Sequence, residues 1–123
     1  METEVDKIIL KEKFAQFSEH WSPKILADLN GQQVKAAKLL GEFDWHHHEN
    51  EDELFWVMHG TLEMHFRDRV VEVQPGEIIV VPKGVEHKPV AHEEVHIILF
   101  EPASTLNTGE AVTDRTVKNL DRI

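Results

Sequence analysis

Four residues of this chain have the types and spacing to share one metal ion: His46, His48, Glu53 and His87. The first three lie in DWHHHENEDELFWVMHG, residues 44–60. Side chains alternate along an extended strand, so His46 and His48 point one way and His47 the other. Two residues apart, the pair is separated by roughly 6.5 Å along the strand. Both rings can then lean onto one ion at about 2.1 Å from nitrogen. Glu53 follows a four-residue bend. His87 is a fourth candidate, at the end of PGEIIVVPKGVEH. There Pro75–Gly76 reads as a turn, Ile78–Val81 as a strand and Pro82–Gly84 as a second turn.

Positioning these residues calls for strands. From Trp21 onward the chain reads as short apolar runs broken by turn signals. PKILADL is a strand, Asn30–Gly31 a hairpin turn and QVKAAKLL its partner. Phe43–His48, Glu53–Met58, Leu62–Arg67, Val70–Val73, Ile78–Val81 and Val95–Phe100 follow. About eight strands with turns every 6–12 residues indicate an all-β sandwich or barrel. Residues 5–20 read as a short strand and a helical turn, with Phe14 and Phe17 as anchors on the body. Residues 103–123 form a polar tail that wraps the surface or is partly disordered.

A two-residue hairpin turn at His59–Gly60 sets Val57 opposite Leu62, Phe55 opposite Met64 and Glu53 opposite Phe66. Directly opposed residues share a face. Glu53, Phe55, Val57, Leu62, Met64 and Phe66 then face the interior. There a carboxylate is costly unless it is paired or holds a cation. Leu54, Trp56, Met58, Thr61, Glu63 and His65 face outward. Their apolar members call for cover by the N-terminal segment or by a second subunit, a homodimer.

At 123 residues the chain is expected to be a single domain, 1–123, with a barrel core at about 22–102. Its formal net charge of −10 argues against nucleic acid as a partner and against an anionic membrane. It contains no cysteine, so a metal must be held by nitrogen and oxygen. The start, METEVDKIIL, lacks a signal peptide's basic and apolar regions, and a cytoplasmic location is expected.

The spacing resembles the cupin family. Its first motif reads here as Gly41, four residues, His46-x-His48, four residues, Glu53, six residues, Gly60. Its second reads as Gly76, five residues, Pro82-x-Gly84, two residues, His87, three residues, then Ala91 in place of the usual Asn. The first spacer is one residue short of the usual five. The resemblance implies a double-stranded β-helix, a jelly-roll barrel, with His46, His48, Glu53 and His87 bound to a divalent ion. Three imidazoles and a carboxylate suit Fe, Mn, Ni, Zn or Co. On an octahedral ion they leave two positions open for water, substrate or dioxygen.

Phe43, Phe55, Val57, Met64 and Phe66 are expected to wall the pocket. His96 is a candidate acid–base if it points into the barrel; His92 is unassigned. His47 faces away, His59 is a turn residue and His65 lies on the outer face. The acidic group Glu42, Asp44, Glu49, Glu51 and Asp52 is a solvated loop or a cation-attracting rim.

The expected function is a metal-dependent enzyme acting on a small molecule, of dioxygenase or isomerase type. The alternative is a non-catalytic module that binds a small ligand or metal. Some small cupins are described as mannose-6-phosphate isomerase-like. A sugar phosphate needs a cationic cradle, and the nearest bases, Lys83 and Lys88, lack an arginine fork or helix N-terminus.

Overall fold

The computed structural model describes residues 5–123. A short helix, α1 (Leu10–Phe14), precedes seven strands. These are β1 (Lys24–Leu29), β2 (Gln32–Glu42), β3 (Glu53–His59), β4 (Leu62–His65), β5 (Val70–Val73), β6 (Ile78–Val81) and β7 (Lys88–Pro102). Among the described residues no helix is long and apolar enough to cross a membrane.

The fold is an antiparallel jelly roll organised around β7. The strand order is β1-β2-β7-β3-β6, with β4 on the first part of β7 and β5 beyond β4. β7 pairs through Lys88–Val90 with β4 and through His96–Phe100 with β3. The same strand pairs with β2 along its length, apart from a register shift that leaves out His92–Glu94. Such an irregularity bends a strand and re-aims its side chains. It lets one 15-residue strand serve two sheets where the sequence pattern marks only Val95–Phe100.

The β1–β2 hairpin turns at Asn30 and Gly31, with φ of 50° and 78°. Two adjacent left-handed residues are what a type I′ turn requires. The corresponding expectation at His59–Gly60 fails: β3 pairs with β6 and β7, not with β4. Gly60 is instead a corner pressed against β7. A Cβ there would lie 2.7 Å from the Glu94 carbonyl oxygen. The facing of residues survives this correction, because alternation belongs to each strand and not to its partner. Glu53, Phe55, Val57, Leu62 and Met64 are all buried.

Two further expectations are corrected. Phe43–His48 is not a strand; it makes a single bridge, between His46 and His87. Residues 5–9 form no strand and lie exposed on the surface.

The core fills the barrel with Ala37, Leu39, Phe55, Val57, Leu62, Met64, Val73, Val81, Ala91, Val95, Ile97 and Leu99. A second cluster lies outside the sheet, where Phe14 and Phe17 cover Leu26, Ala36 and Ile98, flanked by Met58 and Ile123. Burying each aromatic ring stabilises by roughly 1.5–3 kcal/mol, enough to hold so short a helix. The N-terminal segment therefore covers the Met58 end of the outer face. The tail wraps back and ends beside β1, where Ile25 bonds to Asp121 and Ile123.

Candidate metal centre

The loop between β2 and β3 carries two of the histidines. It is sewn to the approach to β7. His46 and His87 exchange both backbone hydrogen bonds, at 3.0 and 2.9 Å, and the Gly84 N–H donates to the His48 carbonyl at 2.7 Å. These bonds keep the loop extended, so alternation holds without a regular strand. His46 and His48 are buried, and His47 turns away to donate from Nε2 to Glu49 at 2.7 Å.

His46, His48, Glu53 and His87 are 4%, 2%, 3% and 0% exposed. Each offers a ligand atom within 4.8 Å of the others. The Nδ1–H of His46 donates to the Asp44 carbonyl and that of His87 to the Val85 carbonyl, both at 2.9 Å. Such bonds fix the tautomer and leave the Nε2 lone pair for a metal. His48 Nε2 and His87 Nε2 stand 3.2 and 3.5 Å from Glu53 Oε1. All three atoms are buried without a hydrogen-bond partner. Leaving a buried polar atom unsatisfied costs about 1–3 kcal/mol. A divalent ion held by three nitrogens and an oxygen satisfies them together, so the donor set fits a transition metal.

The electrostatics suit a cation. Burial, reinforced by neighbouring His87, lowers the His46 pKa to about 4, so the ring is neutral at physiological pH. Burial opposes charge on Glu53. The neighbouring Glu101 carboxyl and the adjacent rings of His48 and His87 outweigh it and hold the carboxyl well below its usual range. Glu101 moves the other way: burial, and then the charge of Glu53, hold it well above the usual range.

Beside the ligands lies a narrow cavity with an open mouth. Its walls include Trp21, Leu39, Phe43, Phe55 and Leu99, and its polar groups are Lys35, His46, Glu53, Glu101 and Asn107. A cupin domain model matches residues 40–101, just over half of the chain.

This chain belongs to the cupin family.

The cupin is 32% identical over 103 residues to the protein YdbB of Bacillus subtilis (strain 168), covering 75% of this chain and 85% of that one. Its fold is similar to that of a cupin-2 domain containing protein from Shewanella frigidimarina NCIMB 400, with 50% identity and a TM-score of 0.77 over 77% of this chain and 93% of that one. Protein NMB1881 from Neisseria meningitidis is similar at 32% identity and a TM-score of 0.73, over 80% and 100% of the two chains.

Of the five residues expected to wall the pocket, Phe43 and Phe55 line it in this cupin. Val57 and Met64 are taken up wholly by the core, with Phe66 packed against them. His96 does not point into the barrel. On β7 the inward residues are Val95, Ile97, Leu99 and Glu101, which puts His96 on the outer face, stacked on Phe14 at 4.9 Å. His92 is exposed and donates to Glu63 at 3.1 Å, as His65 does at 2.9 Å. The acidic group is tied down locally: Asp44 accepts from Thr113 and Arg115, Glu51 from Ser104 and Asp52 from the Lys83 N–H.

Lys35 and Glu101 were not anticipated at the site. Lys35 Nζ donates to Glu101 Oε1 at 2.8 Å, and the two are 1% and 2% exposed. The signal was alternation: Lys35 shares a face with Leu39, and Glu101 with Leu99. The tail also contributes. Asn107 and Leu120 line the cavity, and the Glu110 N–H donates to the His47 carbonyl at 3.0 Å.

Proposed function

We propose that this cupin is a metal-dependent enzyme for a small molecule. His46, His48, Glu53 and His87 hold a divalent transition ion, and the adjoining cavity receives the substrate. The supporting observation is the convergence of three buried, unpartnered ligand atoms at the edge of an apolar cavity.

A bound divalent ion supplies Lewis acidity, or a template for dioxygen chemistry; dioxygenase- and isomerase-type reactions both follow from that. The chain's own residues supply the rest. The two carbonyl-bound imidazoles are held in their metal-binding tautomer. Trp21, Phe43 and Phe55 exclude water and raise the strength of every charge interaction inside. Lys35 and Glu101 give the cavity polar groups that are not ligands.

A sugar-phosphate substrate finds little support here. Lys35 is the cation lining the cavity, and it is engaged by Glu101. Lys88 binds Glu42 and lies over Trp45. A phosphate dianion calls for more donors than these.

The test is turnover. The Fe- and Mn-loaded forms are incubated with diketones, catechols, hydroxy acids and sugars while dioxygen uptake and isomer formation are followed. Turnover by wild type that is lost in His87→Ala supports the enzyme reading. Saturable ligand-induced spectral shifts with no product across the panel replace it with a binding module.

A further inference from the structure

The outer face of the sheet carries a row of basic side chains that the metal centre does not use. Lys38 of β2 lies directly opposite His96 of β7, and His96 lies directly opposite His59 of β3. Directly opposed residues share a face, and like charges so placed destabilise a sheet. His59 reaches this row through a register shift: Met58 is an extra residue in β3, between Val57, opposite Ile97, and His59. Such a bulge re-aims side chains and recurs beside active sites. Met58 and His59 both line one cleft, together with Lys38 and His96.

Helix α1 forms the other wall. Leu10, Phe14 and Ala15 line the cleft, with Lys11 beside them. The space measures about 430 Å³, within the roughly 300–1,000 Å³ that small-molecule sites occupy. Its rings are held in order: Phe14 stacks on His96 at 4.9 Å with 13° between the planes, and His59 stands 5.0 Å from His96. Among the described residues no carboxylate lines the cleft, in a chain whose net charge is −10. Glu94 answers one member of the row, at 2.9 Å from His96 Nε2, and is shared with His20 at 2.7 Å. Lys38 Nζ donates to the Phe17 carbonyl at 2.7 Å. Among the described residues that uses one of an ammonium's three donors.

We infer that this cleft is a second binding site, separate from the metal centre, for a small aromatic carboxylate. The carboxylate meets Lys38 and Lys11. The ring lies against Met58, His59 and Phe14, where thioether and ring contacts favour a planar apolar group. An anion offsets the crowding of basic groups along the row; a neutral ring does not. None of these residues is a candidate metal ligand, so the inference stands or falls apart from the metal reading.

The protein as purified is titrated by calorimetry with benzoate, phenylacetate and 2-naphthoate, and with their amides. At least one acid is expected to bind saturably, about tenfold or more tightly than its amide, the scale of one hydrogen bond to a charged group. NMR contacts from the bound ring should fall on the Met58 methyl and the rings of Phe14 and His59, a readout that needs no variant. Lys11→Gln combined with Lys38→Gln, which keeps a donor for the Phe17 carbonyl, should lose most of the preference for the acid. Ala15 is exposed just beyond α1; Ala15→Trp fills the cleft and should abolish binding, with circular dichroism reporting that the fold is kept. The inference is overturned if no acid binds or none outperforms its amide. It is also overturned if the ring contacts fall on Phe43 and Phe55 in the barrel, or if the double variant keeps the full preference. Self-association of the ligand-free protein that Ala15→Trp abolishes would assign the cleft to a second copy of the chain and overturn it too.

Discussion

His46 and His87 exchange both of their backbone hydrogen bonds, at 3.0 and 2.9 Å, and this single bridge joins the two halves of the ligand set. It holds the loop before β3 extended at the one place where the direction of the side chains matters. His46 and His48 consequently face the barrel while His47 does not.

That orientation gives the first prediction. His48→Ala should weaken metal binding by roughly a hundredfold or more, because it removes one ligand of four. His47→Ala should change it by less than about threefold, since only the contact with Glu49 is lost. Competition titration with a chromophoric chelator measures both. Equal effects would mean that the alternation through residues 46–48 is wrong.

Acid should destabilise the metal-free protein through His46. Its folded pKa is about 4, against about 6.5 for an unfolded histidine. Between those values the unfolded chain binds more protons, so stability falls as pH falls. The loss begins near pH 6.5 and is complete below about pH 4, at roughly 3 kcal/mol for such a shift. Glu101, with its raised pKa, acts in the opposite direction above its ordinary value. Urea unfolding of wild type and His46→Gln across this range isolates the histidine. Parallel profiles for the two proteins would contradict the assignment.

The tail should matter to the site through Gly109. Its φ is +58°, and a Cβ there would lie 2.0 Å from the His47 carbonyl oxygen. Gly109→Ala must displace the tail from the metal loop, at a cost of about 1–3 kcal/mol. The expected result is a lower melting temperature and faster metal release to a chelator. An unchanged release rate would show that the tail does not hold the loop.

On the outer face of β3 and β6, Trp56, Ile78 and Val80 are 40%, 59% and 52% exposed. They are cross-strand neighbours: Trp56 lies opposite Ile78, and Val80 opposite Leu54. β6 is also the end strand of its sheet order, an edge open to pairing. We propose this face as a homodimer contact. Sedimentation should show a dimer that Trp56→Glu converts to monomer. A wild type that is monomeric at all concentrations sinks the proposal.

Much of this was legible in the sequence, for identifiable reasons. Asn30–Gly31 states its turn type in two adjacent residues, and alternation along β3 assigns Glu53 inward whatever strand lies beside it. Partner choice is not local. His59–Gly60 looks like a hairpin turn, but the glycine is needed for close approach to Glu94, far along the chain. The length of β7 was hidden by its exposed bend at His92–Glu94. Lys35 and Glu101 were obscured because α1 buries the outer face as well. With Ala36 and Ile98 covered, the pattern around Lys35 and Glu101 no longer alternates clearly between inside and outside.

Metal content tests the central claim most directly. The protein is purified without added metal or chelator, analysed by inductively coupled plasma mass spectrometry, then stripped and retitrated. The expected result is about one divalent transition ion per chain, lost in His48→Ala and recovered on retitration of wild type. Less than about 0.3 equivalents per chain, with no uptake of Fe, Mn, Ni, Zn or Co on retitration, would contradict it.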